Sequence, residues 1–134
     1  MAENFKESAY RMYADAETLA VGGQLGTPDH LYGLAAECAL KAVLVEIGVI
    51  SIPMTQQQKN TYKVHADEIW NEYLTAISGR TALSVNSTNP FSGWRVQHRY
   101  EPNASFNRTR LEAHRNGAKE AMSALESART SRGT

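Results

Sequence analysis

Three groups of residues in this chain have the types and spacing that chemistry requires. The first is His30, Glu37 and Lys41. At about 100° per residue a helix places these three within roughly 40° of one another, one polar line on an otherwise apolar stretch. Two arrangements satisfy that line. Glu37 and Lys41, four residues apart, can pair with each other where the helix meets solvent. Alternatively the line floors a groove in which Lys41 holds an anion. Glu37 then orients that anion as a hydrogen-bond acceptor, because a carboxylate beside an ammonium stays ionised.

The second group is Phe91-Ser-Gly-Trp94-Arg95-Val-Gln-His98-Arg99-Tyr100-Glu101. Aromatic and basic side chains alternate, which suits a base held by stacking and a sugar phosphate held by charge. The other reading has Phe91, Trp94 and Tyr100 plugging the open end of a helical bundle while the arginines face water. The third group is Arg108-Thr-Arg110-Leu-Glu-Ala-His114-Arg115, in which Arg108 precedes His114 with five residues between. Arginine can steady a phosphorane-like charge, and histidine can move a proton near neutral pH. Metal-free RNA cleavage needs those two parts. A single helical histidine serves structure equally well. The catalytic candidates are therefore Arg108 and His114. The ligand-binding candidates are His30, Glu37, Lys41, Trp94, Arg95, His98, Arg99 and Tyr100.

Other chemistries lack a signature. The sequence has no Cys/His spacing for a metal, no Gly-rich phosphate loop and no His-Glu-x-x-His, so it predicts neither metal nor cofactor. Cys38 sits among apolar neighbours and reads as an inert thiol. As the one cysteine it excludes an intrachain disulfide, which fits a reducing, cytoplasmic compartment. The first residues have no apolar signal core, and the longest apolar stretch, 42–52, is interrupted by Glu46 and too short to span a bilayer. Net charge is zero, which argues against coating nucleic acid by bulk electrostatics. The charge is unevenly spread, with eight Lys/Arg against four acids from Arg95 onward. Such a split offers a basic patch to a phosphate, pairs complementary faces in a homodimer, or solvates the last helix.

Helices must position these groups. At 134 residues the chain fits one domain. Asn4 caps a first helix through Phe5, Ala9, Met12, Ala16, Leu19 and Ala20, ended by Gly22-Gly23. Thr27 as N-cap and Pro28 at the first position open a second helix, which Gly48 stops. Its residues are apolar nearly all round, so it is the central, buried helix. Residues 49–61 read as a loop. A third helix runs from about Val64 to Ser78 on a stripe of Ile69, Trp70, Tyr73, Leu74 and Ile77, with Gly79 at its end. Residues 80–102 are irregular, and a loop of that length is often functional. A fourth helix runs from about Ala104 to Ala128, facing inward with Phe106, Ala113, Gly117, Ala121 and Leu125, before a frayed tail at 130–134. The expected fold is all-α, a four-helix up-and-down bundle with one long irregular loop between its third and fourth helices.

The segment His30-Leu-Tyr-Gly-Leu-Ala-Ala-Glu37-Cys-Ala-Leu-Lys41-Ala, this layout and the Arg-then-His element together resemble the HEPN superfamily of helical domains. The resemblance implies a single helical domain that binds a nucleotide, an RNA phosphate or a protein partner without catalysis. Its alternative implication is a metal-independent, toxin-type ribonuclease acting as a homodimer, with two copies forming one composite site. The family's nucleases carry Arg, four to six intervening residues, then His, and Arg108 and His114 match. His114 would then activate the ribose 2′-hydroxyl, and Arg108 would steady the scissile phosphate. Thr109 departs from the more polar residue that often follows the arginine, and Arg95-Val-Gln-His98 fails the spacing. The partners implied are RNA or a nucleotide, and an antitoxin or nucleotidyltransferase.

Overall fold

Asn4 begins the first helix as expected. In the computed structural model, which describes residues 4–22, 25–100, 102 and 106–131 apart from the side chains of 99, 100 and 131, its carboxamide oxygen accepts from the Glu7 N–H at 3.0 Å. The helix that follows, α1, spans Phe5–Ala20 and buries Ala9 and Ala16 completely. Two alanines seven residues apart let its backbone come close to its neighbour. Gly23, expected in the stop signal, lies outside the described residues.

The central helix, α2, spans Gly26–Glu46. It starts earlier than Thr27-Pro28 suggested: Leu25 is the cap residue, and no side chain caps this end. Proline is tolerated throughout the first turn, where N–H groups lack intrahelical acceptors, so Pro28 does not fix which position is first. Gly48 stops the helix as expected, at φ 82°. The Gly48 N–H donates to Val45 O at 3.1 Å and the Val49 N–H to Leu44 O at 2.8 Å, the paired bonds of a Schellman ending.

Residues 49–61 are not all loop. A short helix, α3, spans Gln56–Tyr62, opened by a reciprocal capping box between Thr55 and Gln58. None of its residues is buried, so hydrophobic periodicity could not reveal it. The next helix, α4 (Ala66–Ala76), is shorter than expected because His65 is extended and caps it, and Ile77 closes it. Its buried Ile69, Trp70 and Tyr73 face the core. Trp70 Nε1 donates to Asn86 O at 2.9 Å and the Tyr73 hydroxyl to Leu83 O at 2.6 Å, fastening the long loop. That loop holds two short 3-10 turns, Thr81–Leu83 and Val96–Tyr100.

The last helix, α5, spans Arg108–Ser131, starting after the expected Ala104, which is not among the described residues. Asn107 caps it by accepting from the Arg110 N–H at 2.8 Å. Thr130 and Ser131, expected in a frayed tail, are helical; residues 132–134 lie outside the description. Ala113, expected to face inward, is exposed, and Leu111, His114, Ala118, Ala121 and Leu125 form the buried face.

The described residues form five α-helices and no strand, an all-α fold with one short helix beyond the four expected. The core gathers around α2, which packs against α1, α4 and α5, while α1 and α5 touch each other little. A polar cross-link spans their seam. Glu17 accepts two bonds from Arg115, at 2.8 and 3.0 Å, and one from the Tyr32 hydroxyl at 2.9 Å. The Arg115 bonds hold the Glu17 carboxyl below its ordinary value, burial opposing them. Burial first, and then the Glu17 charge, pushes the Tyr13 phenol up to about 12. No described helix is long and apolar enough to cross a membrane.

Candidate functional site

The first turn of α2, the start of α5 and the long loop meet at one end of the molecule. Asp29 lies in that first turn, fully buried, where the positive end of the helix dipole favours a carboxylate. His114, two turns into α5 and 5% exposed, bonds Asp29 Oδ2 through Nδ1 at 3.1 Å. A carboxylate only accepts, so the imidazole carries its proton on Nδ1 and, when neutral, its lone pair on Nε2. Arg110, one turn before His114 on the same face, brings Nε to 3.7 Å from the same oxygen.

His98 joins from the 3-10 turn. Its Nδ1 lies 2.6 Å from Arg110 Nη2 and 3.2 Å from the Arg95 backbone nitrogen. Both neighbours are N–H donors, so Nδ1 accepts and the ring proton sits on Nε2. Asp29, His114, Arg110 and His98 thus form one connected chain of four polar side chains from three segments. The Arg110 guanidinium also rests 4.7 Å over the Phe106 ring.

Aromatic residues close the inner side of this chain. Phe91 stacks on His114, with centroids 5.2 Å apart and planes 18° apart. Trp94 stacks on His30 at 5.5 Å and 14°. Both aromatics are fully buried and pack as core residues, as the second of the two readings of this loop has Phe91 and Trp94. They need glycine beneath them. A Cβ on Gly33 would fall inside the Trp94 indole, and one on Gly117 would meet Pro90 Cγ at 2.6 Å and Phe91 Cε2 at 2.9 Å. Asp29 Oδ1 and Trp94 Nε1 are buried without a hydrogen-bond partner among the described residues.

The polar line on α2 divides. His30 turns to Trp94, whereas Glu37 and Lys41 pair at 3.0 Å, with the Lys41 ammonium 5.7 Å from the Phe5 ring centroid. Lys41 is 5% exposed, so this pair lies inside the fold and not at a solvent edge. Glu37 Oε1 accepts from His65 Nδ1 at 3.0 Å, linking α2 to the cap of α4. Arg95 pairs with Asp67 at 3.1 Å and, through the same nitrogen, donates to the carbonyls of Ser92 and Trp94. The side chains of Arg99 and Tyr100 lie outside the described residues.

Arg108 and His114 are not brought together. Arg108 is exposed and donates to the Ala20 carbonyl at the end of α1, at 3.1 Å. Arg110 occupies the place beside Asp29 and His114 instead. Asp29, His65 and Glu17 are not singled out by the sequence. One signal pointed at Asp29: an acid at a helix start is ordinarily exposed, but this helix is apolar nearly all round. No group of described His, Cys, Asp or Glu side chains is arranged to hold a metal ion. Compared with protein-family models, curated proteins and solved structures, the chain matches none.

Proposed function

We propose that this chain is a HEPN-like helical domain that binds the phosphate of a nucleotide or of RNA at the Arg110–His98 corner. One observation carries the reading. The Arg110 guanidinium is fixed from two sides, by Asp29 and by His98, while its side chain stays 23% exposed. A cation held in place loses little rotamer freedom on binding an anion, and guanidinium geometry matches two phosphate oxygens at once. Fluorescence anisotropy with a labelled single-stranded RNA tests this. Arg110→Ala is expected to weaken binding about tenfold or more, as loss of a charge-assisted bond does. Arg110→Lys keeps the charge without the fork and is expected to recover only part. Binding that is indifferent to Arg110 would sink the reading.

A second reading, a metal-independent ribonuclease acting as a homodimer, is favoured by the Asp29–His114 pair. A carboxylate that fixes the Nδ1–H tautomer leaves Nε2 as the base, as proton abstraction from a ribose hydroxyl requires. In this reading Arg110 supplies the nearer cation, and Arg108 acts only after leaving Ala20. Phe91 must also lift from the imidazole. Total RNA incubated with the protein in EDTA is then cleaved between about pH 6 and 8, and His114→Ala abolishes cleavage. Intact RNA across that range removes the enzyme reading and leaves the binding one. The same resemblance extends the proposal to a protein partner, an antitoxin or a nucleotidyltransferase.

A further inference from the structure

A groove of about 420 Å³ opens between the start of α4 and the turn 96–100. That volume is within the range of small-molecule sites, about 300–1,000 Å³. Three of its ionisable groups are already engaged. Asp67 is neutralised by Arg95, and His65 is tied to the buried Glu37. Two remain, the Lys63 ammonium and the Glu68 carboxylate, and neither has an ion-pair partner among the described residues. Val64 and Val96 supply apolar wall.

A carboxylate in the lining repels phosphate, so this groove does not suit a second phosphate. It suits a neutral flat ring that offers hydrogen-bond donors to a carboxylate and an acceptor to a cation. Among the nucleobases guanine presents that edge, with O6 beside the N1–H and N2–H₂ donors. Its two donors can meet both oxygens of one carboxylate, and O6 can meet an ammonium. Adenine and cytosine each place a ring-nitrogen lone pair next to their amino group, which would face the carboxylate. Uracil flanks its single N–H with two carbonyls.

We infer that the groove is a guanine site, with Glu68 taking the N1–H/N2–H edge and Lys63 taking O6. This rests on the phosphate reading of Arg110 and His98, and it names the base that accompanies the phosphate. The two places are neighbours. Side chains three residues apart in a 3-10 turn share a face, about 6 Å apart along its axis. Arg95, which lines the groove, and His98, which holds Arg110, have that spacing, and His98 Nδ1 accepts from the Arg95 N–H.

Titration calorimetry of the full chain with GMP, AMP, CMP and UMP decides the matter, alongside the RNA anisotropy assay. GMP is expected to bind about tenfold more tightly than the other three, the discrimination a bidentate base contact gives. Glu68→Gln is expected to remove most of that preference, because an amide cannot accept from both the N1–H and N2–H₂ donors of guanine as a carboxylate does. Glu68 is exposed, so the variant keeps the fold, and the ranking of four ligands on the unaltered chain needs no variant. Equal affinity for all four, still dependent on Arg110, overturns the guanine site and leaves the phosphate reading standing. If no monophosphate binds while RNA does, the guanine site is overturned alone. If RNA binding also ignores Arg110, both fall.

Discussion

Gly33→Ala is expected to destabilise the fold by about 3 kcal/mol, the upper part of the range for overpacking a core. For a domain of this size that corresponds to a fall in Tm of roughly 10 °C. The added methyl would occupy the space of the Trp94 indole, which is fully buried and stacked on His30. The indole has little room to yield. The Trp94 backbone N–H donates to Phe91 O at 2.9 Å, and Arg95 grips the Trp94 carbonyl, so the loop moves as a unit. Displacing Trp94 therefore also draws Phe91 from His114. Gly93→Ala is the control, since a Cβ there meets nothing within 4 Å, and it is expected to stay within about 0.5 kcal/mol of the parent. Thermal unfolding of both variants measures the difference. Equal Tm values would show that Trp94 does not depend on the bare backbone beneath it.

Asp29→Ala is expected to cost about 3 kcal/mol, the lower end for breaking a buried ion pair. The lower end applies because Arg110 keeps His98 and some access to water, whereas the His114 Nδ1–H is left with no acceptor in a buried place. Asp29→Asn retains an oxygen for His114 but no charge opposite Arg110, and a smaller loss, about 1–2 kcal/mol, is expected. Urea unfolding with an unchanged m-value reads both losses as stability. If Asp29→Ala lies within about 1 kcal/mol of the parent, the carboxylate does not hold these side chains in place.

The fold was legible where residues act on their nearest neighbours in sequence. Asn4, Gly48 and the apolar circumference of 31–47 name α1 and α2 because capping and burial leave local traces. Helix α3 left only the Thr55/Gln58 box, and its polar run disguised it. Part of the candidate site was legible for the same reason: His98 and His114 were singled out by type and spacing. The partnership was not. Whether Arg108 or Arg110 reaches His114 depends on α2 presenting Asp29 to that face of α5, a contact across 85 residues that leaves no mark on either segment alone. Gly117 was read as facing inward, but what it and Gly33 meet was opaque, since their neighbours are Phe91 and Trp94 and no residue near them in sequence.

The packing of α2 on three sides divides the molecule by evolutionary freedom. Asp29, Gly33 and Glu37 each answer to partners on other elements, His114, Trp94 and His65, so a change at any of them disturbs a second segment. Lys63, Glu68 and Gln97 are exposed and answer to the solvent. Substitutions along the exposed groove can therefore come one at a time, while the helix beneath it stays as it is.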